Sequence, residues 1–403
     1  MADWDVALRE GRGSLLAEAD VGIAASPAPM PARLSSTRLG IGGQTGMTSV
    51  YSVRPRNGSG DARDDAYSPV DAGMLVSIQG LRAVAAIAVA AYHALQWCDG
   101  GFDVGRAGVD VFFIISGFVM WHVTCGRPVS PAAFLWRRVT RVAPFYWLVT
   151  LGVLGVALVW PGFLPEVLPG WSHLALSLAF IPHLDPRGLP FPTLPPGWSL
   201  NYEAVFYIIF AAARALPRAW RGRLVVGALV AVTVFGFLEP DSFYYLGANP
   251  MLLQFAVGLG LGLAAEHRRM PGPIIGAALV AAAIGVWSLE AVLGVFTELL
   301  RPLLWGVPAF LLVAGGLSLE LGGALKRAPR ALVRALMSLG DASYAIYLLH
   351  LPATALVAHT LGYGRPWLFL PVAVIISVMA GLAGRAWLER PLLTFLRARF
   401  RAI

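Results

Sequence analysis

The stretch VSIQGLRAVAAIAVAAYHALQW, residues 76–97, decides the fold of this 403-residue chain. It is apolar over the length that a helix needs to cross about 30 Å of hydrocarbon, and further stretches of this kind follow it. The sequence therefore predicts an all-α, polytopic integral membrane protein with about ten transmembrane helices. The predicted spans are residues 76–97, 107–125, 143–160, 197–216, 222–238, 248–266, 272–290, 302–319, 340–361 and 366–388.

The composition excludes a soluble enzyme. Hydrophobic residues make up 57% of the chain and charged residues 13%, whereas an ordinary soluble domain carries about a quarter charged residues. The formal net charge of +8 indicates basic cytoplasmic loops next to membrane lipids, and no nucleic-acid partner is expected. The two cysteines, Cys98 and Cys125, indicate neither a disulfide framework nor a metal site.

The first 73 residues differ from the remainder of the chain. They are rich in Ser, Gly, Pro, Asp and Arg, and they show no sustained hydrophobic period. This composition predicts a disordered cytoplasmic N-terminal tail over residues 1–73. A ten-helix membrane domain is predicted over residues 74–403.

Basic residues orient the predicted spans, because cytoplasmic loops carry the excess of Lys and Arg. With ten spans and the N-terminus inside, the predicted inner loops hold most of the arginines, and both termini are cytoplasmic. The predicted outer loops hold Arg106, Arg187, Arg301 and Arg365. A shorter apolar stretch, Trp171 to Ile181, is predicted to be an interfacial or re-entrant helix, because an eleventh span would reverse every later helix.

Ionisable side chains inside spans are costly in lipid unless they are paired or face water, so each is a candidate functional group. The predicted spans contain Arg82, His93, Asp110, Glu203 and His350. The predicted helix directions place His93, Asp110 and Glu203 at similar depth. A carboxylate near an imidazole fixes its tautomer and raises its basicity, as a general base requires. A structural hydrogen-bond cluster that holds the helices together is the alternative.

Three arginines lie in the predicted inner loop FLWRRVTRVAPFYW, residues 134–147. Arg137, Arg138 and Arg141 stand at i, i+1 and i+4, so two guanidinium groups share one helical face, a geometry suited to phosphate contact. Membrane topology and lipid headgroups are the alternative explanation. The glycine run GLGLG, residues 258–262, lies inside an apolar span and predicts close helix packing rather than a cofactor loop.

Several blocks, taken together and in order, resemble the membrane-bound acyltransferase family called acyltransferase 3. They are SIQGLRAVAAIAVAAYHALQW (77–97), GRAGVDVFFIISGFVMW (105–121), RRVTRVAPFYW (137–147), PPGWSLNYEAVFY (195–207), ASYAIYLLHLP (342–352) and WLERP (387–391). The resemblance covers about residues 76–391, and two blocks look most like the branch that modifies bacterial exopolysaccharides. It implies a multi-pass acyltransferase of the bacterial inner membrane.

The resemblance also implies roles for individual residues. The basic residue and histidine of the family, with ten residues between them, correspond to Arg82 and His93, and the histidine is the catalytic group. The cytoplasmic Arg-x-x-Arg that holds the phosphates of acyl-CoA corresponds to Arg138 and Arg141. Two further family positions correspond to Glu203 and His350.

These residues suggest a mechanism for O-acyl transfer. Acyl-CoA, most simply acetyl-CoA, would bind Arg137, Arg138 and Arg141 at the inner face and pass Arg82, and no metal would take part. His93 would act as general base on a sugar hydroxyl or would itself be acylated transiently.

Asp110 or Glu203 would orient the imidazole of His93 in this mechanism. Trp198, Tyr202 and His350 are predicted to contact the acceptor, a saccharide or lipid-linked saccharide. The competing functional class is a transporter or flippase of lipid-linked saccharides, in which no acyl transfer occurs. A structural membrane component is a third possibility.

Overall fold

The computed structural model of the protein describes residues 75–124, 129–238, 250–294, 296 and 300–399, so the predicted tail lies outside the described residues. Throughout these ranges the regular structure consists of helices. The α-helices are α1 (Val76–Gln96), α2 (Gly108–Thr124), α3 (Pro131–Val159), α4 (Trp171–Leu178), α5 (Trp198–Ala213), α6 (Arg218–Leu238), α7 (Leu252–Glu266), α8 (Pro273–Leu293), α9 (Val307–Leu321), α10 (Arg330–Leu361), α11 (Pro366–Gly384) and α12 (Arg390–Arg399).

Eight helical segments in the described ranges are long and apolar enough to cross a membrane, which confirms the polytopic fold. The two remaining predicted spans, 197–216 and 248–266, are the shorter helices α5 and α7, of 16 and 15 residues. At 1.5 Å per residue each covers only about 22–24 Å. Prolines restrict them, because Pro217 follows the end of α5 and Pro250 lies just before α7.

The short apolar stretch after the third span forms α4, which has eight residues. A helix of this length cannot cross the hydrocarbon core, so the prediction that Trp171 to Ile181 is not a span is confirmed. The side chain of Trp171 is 89% exposed at the start of this helix. The assignment of both termini to the cytoplasm stays a prediction.

Helix α1 lies at the centre of the bundle. It packs against α2, α9, α10 and α11, and small residues such as Ala85, Ala86 and Ala90 are buried along it. Small side chains let neighbouring helices approach closely. The helix that carries Arg82 and His93 is therefore surrounded by protein over most of its length.

The first turn of α1 is capped by a carboxylate from a distant helix. Leu75 stands at the N-cap and makes no side-chain cap hydrogen bond. Instead, Glu320 of α9 accepts hydrogen bonds from the backbone N–H groups of Val76 and Ser77, both at 2.8 Å, and from the Ser77 hydroxyl at 2.5 Å. An acceptor with negative charge at this position satisfies open N–H groups and suits the helix dipole.

Helices α2 and α7 touch at their backbones. A Cβ atom on Gly258 would collide with the carbonyl oxygen of Ile114, and one on Gly117 would collide with that of Phe255. Gly260, two residues further along, has nothing within 4 Å of the same position. The close helix packing predicted for the glycine run is confirmed at Gly258.

The Gly258→Ala variant is expected to lower the free energy of unfolding by about 1–3 kcal/mol, because the added methyl group meets a backbone oxygen that cannot move aside. Thermal unfolding of the detergent-purified protein measures this loss. Gly260→Ala is the matched control, and its unfolding temperature should stay close to that of the wild-type protein. Equal unfolding temperatures for the two variants would contradict the close contact.

Candidate active site

A cavity lies beside the C-terminal half of α1. Its wall combines aromatic rings, prolines and a few groups that can donate hydrogen bonds. Among the side chains that line it are His93, Arg106, Phe191, Trp198, Arg301 and Tyr347. We call this space the His93 cavity. Polar groups in a mostly apolar cavity are the usual arrangement of a small-molecule site.

His93 lies against His350 of α10 in the His93 cavity. The two imidazole rings are almost parallel, with an interplanar angle of 3° and centroids 4.9 Å apart. The Nδ1 atom of His350 is 2.6 Å from the carbonyl oxygen of Tyr347, which can only accept, so this nitrogen carries the proton in the neutral ring. His350, predicted as an acceptor contact, therefore supports the His93 ring directly.

Asp110 forms a buried ion pair that the sequence did not indicate. Its carboxylate accepts a hydrogen bond from Arg301 at 3.0 Å and a longer one from Gln254 at 3.4 Å. The side chains of Asp110 and Arg301 are 0% and 1% exposed. Arg301 lies between two candidate spans, as predicted, but it is buried rather than exposed to water, because the carboxylate of Asp110 binds it. Its position directly before the span that begins at Pro302 was the available signal.

Arg106 was also predicted in an outer loop, and the structure places it in the wall of the His93 cavity. Its guanidinium carbon lies 5.8 Å from the ring centroid of Tyr92, 5.5 Å from that of Phe296 and 5.0 Å from that of Trp305. Ring faces attract a guanidinium group, so the cation is held by aromatic side chains.

Glu203 lies at a different level of the helix bundle from Asp110, although the sequence predicted similar depth for the two. Its carboxylate accepts a hydrogen bond from Ser116 at 2.8 Å and a very short one from Tyr207. Ser116 follows Asp110 by six residues on α2, which corresponds to about 9 Å along the helix. Asp110 and Glu203 therefore occupy two levels, and the expectation of similar depth is corrected for Glu203.

Three arginines lie near Glu203 and its hydrogen-bond partner Tyr207. Arg82 interacts electrostatically with Arg141 and with Glu203, and Tyr207 interacts with both Arg138 and Arg141. The Arg138 guanidinium also lies over the ring of Phe134, 5.7 Å from its centroid. We call Arg82, Arg138 and Arg141 the arginine cluster. Arg137 is exposed on the same helix, α3, and stands apart from the cluster.

A polar network that the sequence did not predict lies next to Arg82 of the arginine cluster. The Gln79 side-chain amide donates to Asp341 at 2.9 Å, and Arg385 donates to Glu389 at 2.8 Å. Arg385 also lies 4.0 Å from Asp341, and both Asp341 and Glu389 interact with Arg82. The block WLERP, which contains Glu389, was the available signal. This network joins α1, α10 and the π-helical turn Arg385–Glu389.

The predicted acceptor contacts Trp198 and Tyr202 have different positions. Trp198 lines the His93 cavity, while Tyr202 is buried behind it and meets the Trp198 ring edge-on at 5.7 Å. Tyr347 completes this side, because its hydroxyl lies 3.1 Å from the carbonyl oxygen of Pro196 and 2.9 Å from the Ser199 hydroxyl. Tyr202 therefore supports the cavity wall, and Trp198 forms its surface.

His173 and His183 contact each other within the segment between α3 and α5. The same segment contributes Phe191 to the cavity wall. The Nδ1 atom of His173 is 2.8 Å from the Nε2 atom of His183. The pKa of His173 is lowered from its ordinary value, first by burial and then by His183. The nearby Asp185 raises this pKa and Arg187 lowers it further.

The lowered pKa of His173 predicts a loss of stability in acid. Above pH of about 6.5 the imidazole is neutral in both the folded and the unfolded chain. As the pH falls towards the lowered pKa, the unfolded chain binds the proton first, so folding is weakened. We expect the unfolding temperature to fall between pH 7.5 and pH 5, and to fall less in His173→Gln. The same pH dependence in both proteins would contradict this assignment.

The chain is similar to proteins of known classes. A family of acyltransferase domains matches residues 75–384. The chain is 39% identical to the exopolysaccharide production protein ExoZ of Rhizobium meliloti, covering 76% of this chain and 96% of that protein. It is 29% identical to acyltransferase MdmB of Streptomyces mycarofaciens, covering 77% and 87% respectively. It is 28% identical to peptidoglycan O-acetyltransferase OatA of Listeria monocytogenes, covering 43% and 30%. No solved structure is significantly similar.

Proposed function

The chain belongs to the family of acyltransferase domains, and from this premise we propose that it transfers an acyl group from acyl-CoA to a sugar hydroxyl of a cell-surface polysaccharide or exopolysaccharide. It is a multi-pass membrane acyltransferase. Acetyl is the proposed acyl group, and the bacterial inner membrane is the proposed location. The names of ExoZ and OatA support a polysaccharide acceptor.

One observation carries the proposal, namely that Arg82 of the arginine cluster and His93 of the cavity lie on one helix at two different levels. Arg82 and His93 are eleven residues apart on α1, which corresponds to about 16 Å of helix. The arginine cluster at one level suits the phosphates of CoA, since guanidinium groups form strong hydrogen bonds to phosphate oxygens. The flexible pantetheine arm would cover the distance to the His93 cavity.

The His93 cavity suits the chemical step. The acceptor hydroxyl attacks the thioester carbonyl while His93 takes its proton, and the tetrahedral intermediate then expels the CoA thiolate, which receives the proton from His93. Stacking on His350 holds the imidazole ring in place. Trp198 offers a flat apolar face with a polar N–H edge to the sugar ring.

Acetyl-CoA is expected to stabilise the purified protein against thermal unfolding, because a ligand that binds only the folded state raises its stability. Combining Arg138→Ala with Arg141→Ala should raise the acetyl-CoA concentration needed for half of this effect by about tenfold or more, because two charge-assisted hydrogen bonds are lost. Arg137→Ala is the matched control, and we expect a change of less than about twofold from its exposed side chain.

The decisive experiment measures acetyl transfer in membrane vesicles from a deletion strain that expresses the protein. Acetyl-CoA labelled in its acetyl group is supplied, and label in the extracted polysaccharide is counted; NMR of the polysaccharide identifies the ester. Label in polysaccharide is expected with the wild-type protein. Absence of label and of stabilisation by acetyl-CoA, together with movement of lipid-linked saccharide across the vesicle membrane, would establish the competing flippase instead.

A further inference from the structure

Binding of acyl-CoA at the arginine cluster, which rests on the proposed function, requires that helix α3 aim Arg138 and Arg141 at the phosphate groups. Guanidinium groups bind phosphate oxygens through hydrogen bonds of defined direction, so a wrong orientation costs affinity. The Nε–H group of Arg138 is buried and has no hydrogen-bond partner among the residues that the structure describes, so this donor can serve a ligand. The backbone that carries the two arginines must therefore be held in one orientation.

The sequence of α3 weakens the helix just after these arginines. Pro144 lies inside this helix, three residues beyond Arg141. Proline has no backbone N–H group, so the carbonyl oxygen of Thr140 receives no hydrogen bond from position 144, and the proline ring crowds that oxygen. Helix kinks concentrate at such prolines. The orientation of the segment 131–143 relative to the remainder of α3 is therefore not fixed by the helix alone.

Neighbouring helices hold this segment near its start and at its end. Near the start, the ring of Phe134 packs on Phe210 of α5, with centroids 5.2 Å apart. At the end, the hydroxyl of Tyr344 on α10 donates a hydrogen bond to the carbonyl oxygen of Val142 at 2.8 Å. Val142 directly follows Arg141 in the chain, so this hydrogen bond fixes the backbone next to a guanidinium group of the cluster.

Tyr344 contacts α3 on both sides of Pro144. Its hydroxyl binds the carbonyl oxygen of Val142 before the proline, and its ring lies against that of Phe145 after it, with centroids 5.9 Å apart. A carbonyl oxygen has two lone pairs, so it can accept this bond in addition to one within the helix. Tyr344 also interacts electrostatically with Glu203, which places it near the arginine cluster.

We propose that Tyr344 is a positioning residue for acyl-CoA binding. By holding the carbonyl group of Val142, its hydroxyl fixes the end of the segment 131–143 and directs Arg138 and Arg141 towards the phosphates of CoA. Tyr344 acts through these arginines and does not itself contact the ligand. The binding of acyl-CoA therefore depends on this hydroxyl, whereas the chemical step in the His93 cavity does not.

The test measures the acetyl-CoA concentration that gives half of the maximal stabilisation against thermal unfolding. Tyr344→Phe keeps the ring and removes the hydroxyl, and it should raise this concentration by about three- to tenfold, as expected for one lost hydrogen bond. In the vesicle assay, KM for labelled acetyl-CoA should rise by a similar factor, while the maximal rate stays within about twofold of wild type. In an Arg141→Ala background, Tyr344→Phe should have a smaller effect, because part of what it positions is gone.

Trp147→Phe is the matched control. The indole N–H of Trp147 also donates to a backbone carbonyl, that of Leu178 at 2.8 Å, but Trp147 lies beyond Pro144 on α3. Its replacement removes a contact of the same kind from the other part of the helix. The acetyl-CoA concentration for half of the stabilisation should stay within about twofold of the wild-type value.

Three results would overturn the inference. They are an unchanged acetyl-CoA concentration in Tyr344→Phe, whether or not its unfolding temperature falls; an equal rise in Trp147→Phe; and an undiminished effect of Tyr344→Phe in the Arg141→Ala background. Unfolding temperatures without ligand show that each variant is folded. If acetyl-CoA neither stabilises the wild-type protein nor delivers label to polysaccharide, the proposed function itself fails. Stabilisation of the wild-type protein with no change in Tyr344→Phe removes only the positioning role.

Discussion

Replacing His93 by alanine should reduce acetyl transfer by at least about 100-fold, and up to about 10,000-fold, because the proposed general base of the reaction is lost. The side chain is partly buried and stacks on His350 in the cavity wall, so its removal leaves the arginine cluster intact. Acetyl-CoA should therefore still stabilise His93→Ala. Initial rates in the vesicle assay and acetyl-CoA-dependent unfolding temperatures measure the two effects separately.

His267→Ala is the matched control for this variant. His267 is exposed at the end of α7, away from the His93 cavity, and its removal should leave the rate within about twofold of wild type. A His93→Ala protein that folds, reaches the membrane and still acylates polysaccharide at the wild-type rate would refute the catalytic role of His93.

The second large effect concerns stability. Asp110→Ala should lower the free energy of unfolding by about 3–5 kcal/mol, because it leaves the buried guanidinium of Arg301 without its charged partner. Arg301→Ala should have a similar effect for the converse reason. Thermal and chemical unfolding of the purified protein measure both losses.

The double variant separates stability from catalysis at this pair. Asp110→Asn combined with Arg301→Gln removes both charges, so its loss of stability should be smaller than the sum of the losses in the single variants Asp110→Asn and Arg301→Gln. Additive losses would contradict a direct ion pair. The sequence predicted that Asp110 orients His93. If the double variant is stable and keeps its acetyl-transfer rate within about threefold of wild type, this prediction is wrong.

Hydropathy predicted most of the membrane fold, because burial in lipid imposes a strong compositional signal on each span. It overestimated the lengths of α5 and α7, because Pro217 follows the end of α5 and Pro250 precedes the start of α7. Hydropathy also identified the ionisable residues of the site. Arg82, His93, Asp110 and Glu203 stand out because each lies within an apolar span.

The positions of Arg106 and Arg301 could not be predicted from the sequence. Counting arginines in loops assigns each of them to water, whereas the aromatic rings and the carboxylate that hold them come from other helices. The sequence also left open which two of Arg137, Arg138 and Arg141 point to the same side of their helix. Side chains three and four residues apart both lie on one face, and the structure brings together the pair three apart.

The cap on α1 has a consequence for how the protein is made. The helix that carries His93 leads the described part of the chain, while its capping residue, Glu320, lies 244 residues beyond Val76. Synthesis proceeds from the N-terminus, so α1 enters the membrane long before α9 exists. Its stacking partner, His350, is made later still. The helix most central to the chemistry is therefore among the last to reach its final stability during biogenesis.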